Sequence, residues 1–250
     1  MKQLLILASL LIVYNTAGAQ GNVRDSALSM VLVQPGFAFQ VPFGDLADRF
    51  GNSSSASMDV IYKHKSNWMA GIQGSFIYGS DVKQPNLFSN LITSQGQIVA
   101  TDGKYSDIRV FERGYTIILS VGRMFPLKKP NPNSGFAVSV GAGYMQHKIK
   151  IEDKLNLTPA LQDDYRKGYD HLSGGLCLKQ SVTYTYVGNR KLVNFFIAAE
   201  AIEGLTKGRR SYDFDLEIPD NGKRTDILTG LRIGWILPLY KAAPEKYYFN

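Results

Sequence analysis

The amino-acid sequence predicts an all-β protein, an eight-stranded antiparallel transmembrane β-barrel of the bacterial outer-membrane type. Three observations support this prediction. Apolar residues recur at every second position, eight segments have this pattern, and long and short connections alternate between them. A period of two is typical of a strand with one apolar face. Bacterial barrels of this class use an even number of strands, with long loops outside the cell and short turns in the periplasm.

The first predicted element is a signal peptide over residues 1–19. Lys2 gives a positive start, residues 4–14 form an apolar core, and small residues end the segment at Ala19. This order is typical of a secretory signal, and the apolar run is too short to span a bilayer as a helix. The alternative interpretation is a buried N-terminal helix. A short periplasmic segment, residues 20–26, is predicted to precede the barrel.

The barrel itself is predicted over residues 27–240. In each strand, apolar residues that face lipid alternate with smaller or polar residues that face the lumen. Several segments reach the length of about nine to eleven residues that crosses a bilayer at a tilt. The predicted strands cover residues 28–41, 57–64, 68–78, 115–121, 136–144, 172–186, 193–201 and 226–240.

The connections and the aromatic residues favour a membrane barrel. Long connections at about 42–56, 80–107, 152–169 and 204–225 alternate with short ones, which predicts both chain ends in the periplasm. The 14 Tyr, 13 Phe and 2 Trp supply aromatic girdles for two membrane interfaces. A secreted β-sandwich or a lipocalin-like barrel also alternates. The long apolar faces that end in aromatic residues favour the outer membrane.

The composition excludes several kinds of site. The only cysteine is Cys177, so an internal disulfide and a cysteine-based metal site are both excluded. The net charge is +7, but there is no basic helix and no aromatic RNA-binding motif, so nucleic acid is not indicated as a partner. We predict neither a metal nor a cofactor.

The inward faces are predicted to be polar, tightly packed and electrically balanced. Eight strands leave an interior just wide enough for side chains, and an unpaired charge there would be costly. A charged network that fills the lumen is therefore favoured over an ion or substrate path. Strand parity predicts these inward ionisable residues: Asp59, Lys63, Glu112, Lys179, Glu200 and Arg232.

Three histidines are present, and two of them are candidates for chemistry. His147 and His171 flank the third long loop and are predicted to face inward, with Asp170, Asp153 or Ser173 near them. A His–Ser–acid set requires mutual hydrogen bonds, and the sequence contains no nucleophile elbow or metalloprotease motif. We predict that the protein is not an enzyme. The alternative is a lipid-modifying barrel enzyme that uses these histidines.

Two segments are predicted to contact partners. Residues 207–224 combine five bases and four acids with aromatic residues, which suits a loop that binds protein or faces lipopolysaccharide. A solvated loop tip is equally consistent with this composition. Residues 241–250 form a predicted periplasmic tail after the last strand. The candidate contact residues are Arg209, Arg210, Tyr212, Phe214, Tyr247, Tyr248 and Phe249.

Residues 230–240 (GLRIGWILPLY) are predicted to be the closing strand of the barrel. Arg232 faces the lumen, where Glu200 on the preceding strand is a candidate partner. The segment also resembles the closing-strand signal that the barrel insertion machinery recognises. The positions that carry this resemblance are Arg232, Gly234, Leu237 and Leu239.

Five stretches of the sequence form a distinctive combination: FGDLADRFG (43–51), NPNSG (131–135), GYMQHKIKIED (143–153), KGYDHLSGGL (167–176) and GLRIGWILPLY (230–240). Together they resemble small outer-membrane β-barrel proteins of Bacteroidetes. Some barrels of this kind are accessory subunits of larger machines for barrel insertion or protein secretion. The resemblance implies a structural or accessory subunit of an outer-membrane complex, with outer-membrane lipids, lipopolysaccharide, the insertion machinery and other proteins as partners. A narrow porin is the alternative.

Overall fold

The computed structural model describes Val23 and residues 26–188, 193–220 and 222–240. The predicted signal peptide and the predicted tail at 241–250 lie outside the described residues. Within these ranges, no helix is long and apolar enough to cross a membrane. The strands are β1 (Met30–Gly44), β2 (Ser53–Lys63), β3 (Trp68–Gly79), β4 (Ile108–Pro126), β5 (Gly135–Asp153), β6 (Ser173–Val187), β7 (Asn194–Gly208), β8 (Lys223–Trp235) and β9 (Leu237–Leu239). Two short 3-10 helices lie at Pro159–Leu161 and Tyr165–Gly168.

The strands close into a ring. Each strand from β2 to β7 pairs antiparallel with its two neighbours in the sequence, and both β8 and β9 pair with β1. The strand β9 continues β8 in the same register, since Gly36 pairs with Gly234 and Val33 with Leu237. The predicted all-β, eight-stranded antiparallel barrel is therefore confirmed.

The break between β8 and β9 has a local cause in β1. Pro35 lies between the two paired stretches of β1, and a proline has no backbone N–H to give to a neighbouring strand. The ladder is interrupted there and resumes on both sides. The barrel therefore closes without a bulge.

The strands are staggered around the barrel. The row of paired residues that starts at Gln34 returns to β1 at Gly44, a stagger of ten residues. A closed barrel needs such a stagger, and its strands then tilt by about 35–45°. The row contains Gln34, Asp59, Gln73, Ile118, Gly143, Cys177, Gly204, Asp226 and Gly44.

An apolar belt surrounds the barrel. Its side chains point outward and are exposed to the surroundings of the barrel. Trp68 and Trp235, for example, are each 56% exposed. Large aromatic residues lie at both edges of the belt, near the short turns and near the long loops. The belt contains Phe37, Phe39, Tyr62, Trp68, Ile72, Phe76, Tyr115, Leu119, Val121, Phe125, Phe136, Val140, Leu178, Val182, Ile197, Leu231 and Trp235.

Several strands extend further toward the long loops than the sequence predicted. The strand predicted at 136–144 continues to Asp153. Beyond Tyr144 the pattern inverts, because Lys148 and Lys150 face outward while Ile149 and Ile151 are buried. The wall above the belt is therefore polar outside and apolar inside, as in a soluble barrel. A search for outward apolar residues therefore ends these strands too early.

The prediction of a polar interior is wrong in part, because the lumen is layered. At the turn end, a buried apolar floor contains Met30, Leu32, Phe196, Ala198 and Ile236. Above the paired charges, a larger apolar cluster fills the barrel up to its loops. Because the interior is closed to water, burying apolar surface stabilises it. That cluster contains Leu46, Phe50, Ile77, Phe88, Ile118, Met145, Ile149, Ile151, Leu161, Tyr169, Cys177, Ile202 and Leu228.

The turn between β4 and β5 folds into the barrel and seals its floor. The Asn133 side chain is fully buried, and its Oδ1 accepts the backbone N–H of Leu28 at 2.9 Å. Its amide donates to the carbonyl oxygens of Val23 and Ser26 at 3.0 and 2.9 Å. The Lys63 ammonium donates to Asn133 Oδ1 at 3.3 Å. One asparagine thus joins the turn to the segment before β1 and to β2.

We expect the substitution Asn133→Ala to lower the free energy of unfolding by about 2 kcal/mol. The change leaves the buried backbone groups around this side chain without partners, and each unsatisfied group costs about 1–3 kcal/mol. Urea titration in detergent, followed by the shift between folded and unfolded gel bands, measures this. The control is Asn52→Ala, at an exposed loop position. Equal midpoints for the two variants would contradict the role given to Asn133.

Candidate functional site

The four long loops form a folded cap over one end of the barrel. We call residues 45–52, 80–107, 154–172, 209–220 and 222 the loop cap. Each loop contributes apolar side chains to the cluster below it, and five of these side chains are buried. They are Leu46, Phe50, Phe88, Leu161 and Tyr169, with Phe214 packed against them.

Asp215 joins three of these loops. Its Oδ1 accepts the backbone N–H of Phe88 at 2.6 Å, and the Ser89 hydroxyl donates to its backbone oxygen at 3.1 Å. Its Oδ2 lies 2.8 Å from Nε2 of His171. On the other side of the ring, His171 Nδ1 lies 3.2 Å from Asp213 Oδ2. The second, third and fourth loops are thus held at one buried point.

The two loop residues that contact the Asp215 carboxylate have a costly backbone conformation. His171 has φ +44° and Phe88 has φ +63°, in the left-handed region that side chains with a Cβ rarely adopt. Such a residue costs about 1–3 kcal/mol and persists only where its surroundings hold it. The Asp215 contacts hold both residues.

His171, Asp213 and Asp215 are buried, and one ligand atom from each lies within 4.8 Å of the others. The two ring nitrogens point to opposite sides of the imidazole, so one metal ion can contact only one of them. Each nitrogen already faces its own carboxylate. The observed geometry fits a hydrogen-bonded bridge between loops better than a three-ligand metal centre.

Aromatic packing supports the same junction. The Tyr169 and Phe214 rings meet edge to face with centroids 5.5 Å apart. Gly168 allows this contact, because a Cβ built there would lie 2.1 Å from the Phe214 ring. Asn90 Nδ2 donates to the Tyr169 hydroxyl at 3.0 Å. Burial raises the pKa of Tyr169, so its hydroxyl stays neutral.

A second charged cluster fastens the first loop to the barrel wall. Arg49 Nη2 donates to Asp226 Oδ1 at 2.5 Å, and the other carboxylate oxygen lies 2.8 Å from His147 Nε2. The Thr206 hydroxyl donates to the same oxygen. All four side chains are buried. This cluster joins Arg49 of the loop cap to the barrel wall below it, where it crosses from β5 to β8.

The sequence-derived candidates for catalysis are held in separate contacts. The Ser173 hydroxyl donates to the His171 carbonyl at 3.2 Å and accepts hydrogen bonds from Arg49 and Arg224 at 3.1 and 2.7 Å. His147 instead bonds to Asp226. An activated serine donates its hydroxyl to a basic nitrogen, and this one donates to a carbonyl. The geometry does not assemble these residues into a His–Ser–acid set.

Four of the inward ionisable residues form a layer in mid-barrel. Arg232 Nε donates to Glu200 Oε2 at 3.0 Å, and its Nη1 lies 2.8 Å from Asp59 Oδ2. Lys179 Nζ lies 2.7 Å from the same Glu200 oxygen and 2.6 Å from Gln73 Oε1. Two acids and two bases therefore balance. We call Asp59, Lys179, Glu200 and Arg232 the lumen charge layer.

The other two inward candidates lie elsewhere. Lys63 lies at the floor, bonded to Asn133 and to the Leu28 carbonyl. Glu112 is buried near the loop end of β4. The six residues therefore occupy three levels rather than one network. Strand parity gives the face of a residue, but its height depends on the stagger between strands.

The predicted contact residues of the fourth loop lie in different environments. Arg210 Nε donates to Asp170 Oδ1 at 2.8 Å, and this hydrogen bond raises the pKa of the guanidinium. The Arg209 guanidinium lies over the Tyr144 ring at 6.0 Å, and Tyr212 remains 40% exposed. Phe214 is partly buried and packs against the apolar cluster under the cap, so its role as a partner contact stays a prediction. Tyr247, Tyr248 and Phe249 lie outside the described residues.

The closing strand has the predicted faces. Arg232 is buried, and Leu237 and Leu239 are exposed on the outside. Gly234 is required by close approach, because a Cβ there would lie 2.2 Å from the Pro35 carbonyl oxygen. Recognition of these residues by the insertion machinery stays a prediction.

No protein-family model and no curated protein matches the chain. Thirteen chains of solved structures resemble it, among them the following three. The attachment invasion locus protein Ail of Yersinia pestis, in complex with the heparin analogue sucrose octasulfate, has a TM-score of 0.43 at 12% identity and covers 84% of this chain and 99% of its own. Neisserial surface protein A has a TM-score of 0.38 at 12% identity, and the match covers 82% of this chain and 97% of that protein. The outer membrane protein OprG of Pseudomonas aeruginosa has a TM-score of 0.36 at 12% identity, and the match covers 89% of this chain and 99% of that protein.

Proposed function

We propose that the protein is a non-enzymatic outer-membrane β-barrel that does not conduct solutes and displays its loop cap outside the cell. On this proposal the barrel is an anchor and the cap is the working surface. It acts as a structural or accessory subunit of a larger envelope complex.

The apolar belt supports a membrane location. Monomeric soluble proteins rarely expose contiguous apolar patches larger than a few hundred Å². Here large apolar side chains are exposed on all eight barrel strands, with aromatic residues at both edges. The long loops lie at one end of the barrel, which corresponds to the outside of the cell in such proteins. The described chain begins and ends at the other end, where Val31 pairs with Leu239.

The sealed lumen is the observation that carries the proposal. The interior is filled by the apolar floor, the lumen charge layer and the apolar cluster under the cap. The cavity beside Asp59, Lys179 and Arg232 has about 40 Å³, room for only a few water molecules. A solute path would have to displace packed side chains at every level. The geometry therefore favours display over transport.

The exposed side of the cap supports a protein partner. The fourth loop is ordered by the Asp213–Ile218 bridge and presents Tyr212, Leu216 and Ile218 to solvent. An ordered apolar surface rimmed by charge is the usual composition of an interface. Extraction in mild detergent should therefore yield a second protein in stoichiometric amount, and a clean single species would count against the accessory role.

We expect the purified barrel to give no stable current steps in a planar lipid bilayer. Ions have no continuous water-filled path through a packed lumen, since burying an unpaired charge is costly. An open porin inserted in the same bilayer is the positive control, and heat-dependent gel migration shows that the sample is folded. Reproducible single-channel steps from the folded protein would instead favour the narrow-porin alternative.

A further inference from the structure

The outer wall above the apolar belt has a one-sided basic surface. We call Arg113, Lys148, Lys207 and Arg209 the basic arc. Arg113 lies on β4, Lys148 on β5 and Lys207 on β7, all pointing outward, and Arg209 directly follows β7. None of the four is buried.

The basic arc lies directly above the aromatic edge of the belt. The Tyr115 and Tyr144 rings are 6.3 Å apart at that edge. Arg113 is the next outward residue after Tyr115 on β4, and the Arg209 guanidinium lies over the Tyr144 ring. If the belt spans the hydrocarbon core, these cations lie at the depth of the lipid headgroups.

Two of the cations are direct cross-strand partners. Arg113 pairs with Lys148 in the β4–β5 register, and like charges in this arrangement are destabilising. Arg113 donates to the carbonyl of Glu112 at 2.6 Å and lies over the Phe111 ring, so neither contact supplies a negative charge. The pair therefore favours an anion beside it.

The nearby carboxylates do not neutralise this surface. Lys148 Nζ is 3.8 Å from Asp170, but that carboxylate is already bonded to Arg210 at 2.8 Å. Glu152 forms an ion pair at 2.5 Å with Lys150, which is not a residue of the basic arc. A positive excess therefore remains on this face.

The other half of the barrel lacks such a surface. The exposed residues just beyond the loop ends of β1, β2 and β3 are Asp45, Asn52 and Ser80. A general attraction to the membrane would not need the cations on one side. Lys223 on β8 is exposed and pairs with Lys207, so the cations are concentrated on the sector from β4 to β8. This concentration indicates a localised binding site.

We infer that the basic arc binds the phosphate groups of a phosphorylated glycolipid in the outer leaflet, of the lipid A type. Guanidinium and ammonium groups bind phosphate oxygens through charge-assisted hydrogen bonds. The acyl chains of the same lipid lie along the belt below, next to Tyr115 and Tyr144. This inference rests on the proposed function, because it requires the belt to face lipid and the loops to face outward.

The test compares lipid binding by two double variants in detergent solution. Arg113→Gln/Lys148→Gln removes two charges from the basic arc. The control Lys104→Gln/Lys167→Gln removes two charges from cap positions whose side chains are 84% and 58% exposed. Each protein is titrated with bisphosphorylated lipid A and with its dephosphorylated form, and bound lipid is counted by native mass spectrometry.

We expect wild type and the control to prefer the phosphorylated lipid, and the basic-arc variant to bind it on the order of tenfold more weakly. The variant should bind the dephosphorylated lipid as wild type does. Equal binding of phosphorylated lipid by all three proteins, or no preference for phosphate in wild type, would overturn the inference. Insertion into lipid vesicles is scored separately: a barrel that inserts but shows no preference refutes only the lipid site, and one that never inserts refutes the proposed function.

Discussion

Replacing Arg232 with methionine is expected to lower the free energy of unfolding by about 3–5 kcal/mol, because the substitution leaves two buried carboxylates without their guanidinium. Arg232 bridges Glu200 at 3.0 Å and Asp59 at 2.8 Å, and both acids are almost fully buried. Lys179 contacts only one of them directly, at 2.7 Å from Glu200. Its single charge cannot compensate both acids.

A second variant separates charge imbalance from loss of packing. Arg232→Met/Glu200→Gln removes one charge of each sign and leaves Asp59 and Lys179 as a balanced pair, so part of the lost stability should return. The matched control is Arg123→Met, which removes an exposed arginine from the outer wall near Trp68. Arg123 makes two exposed cation–π contacts, with Trp68 at 5.8 Å and with Phe125 at 6.0 Å. Each is worth about 0.5–1 kcal/mol, so this control should lower the free energy of unfolding less than Arg232→Met does.

Denaturant titration of the refolded barrel measures all three variants. A double variant that is no more stable than Arg232→Met would show that packing of the arginine on Phe196, at 4.7 Å, matters more than charge. Arg232→Met should not open a conducting path, because the floor and the apolar cluster above the layer remain filled. A current through this variant would show that the lumen charge layer alone prevents ions from passing through the barrel.

The barrel could be predicted from the sequence because its apolar belt follows one simple rule along each strand. Residues such as Leu119, Val140 and Leu231 point outward and are apolar, so the period of two is strong along the belt. The same parity correctly turned Arg232 inward. Its neighbours across the lumen depend on the stagger of the strands, which one sequence does not give.

The parts above and below the belt could not be predicted in this way. Past Tyr144 the alternation continues with inverted polarity, and Ile149 and Ile151 pack inside while lysines face water. The NPNSG turn has the composition of an exposed turn, yet Asn131 and Asn133 are buried, because their side chains bond to backbone groups of distant segments. Contacts that are long-range in sequence and mediated by backbone atoms leave no periodic pattern.

The substitution Asp215→Ala is expected to open the loop cap while the barrel below stays folded. It removes the acceptor of the Phe88 N–H and the carboxylate beside His171. Both partners have positive φ, so their backbone strain favours a different loop conformation once the carboxylate is gone. We expect a local loss of about 3 kcal/mol, within the range for breaking a buried charged contact.

Limited proteolysis of intact protein in detergent measures the opening. Loops are cleaved through locally opened states, so a cap destabilised by about 3 kcal/mol should be cut on the order of 100-fold faster when opening and reclosing are fast. The control is Asp164→Ala, in the same cap, whose side chain is 89% exposed. The folded gel band of the barrel should survive in both variants.

The result also distinguishes two descriptions of the cap. If cleavage accelerates but the barrel keeps its unfolding midpoint, the cap is a separate cooperative unit that the strands merely support. If the midpoint falls with the cap, the apolar cluster shared by Phe50, Ile149 and Tyr169 couples the two regions. Unchanged cleavage of Asp215→Ala would mean that this cluster alone orders the loops, and the junction at His171 would lose its assigned role. A display function requires the cap to hold its shape without a partner, so the first outcome would also mark Asp215 as the position from which partner binding can be disrupted without unfolding the anchor.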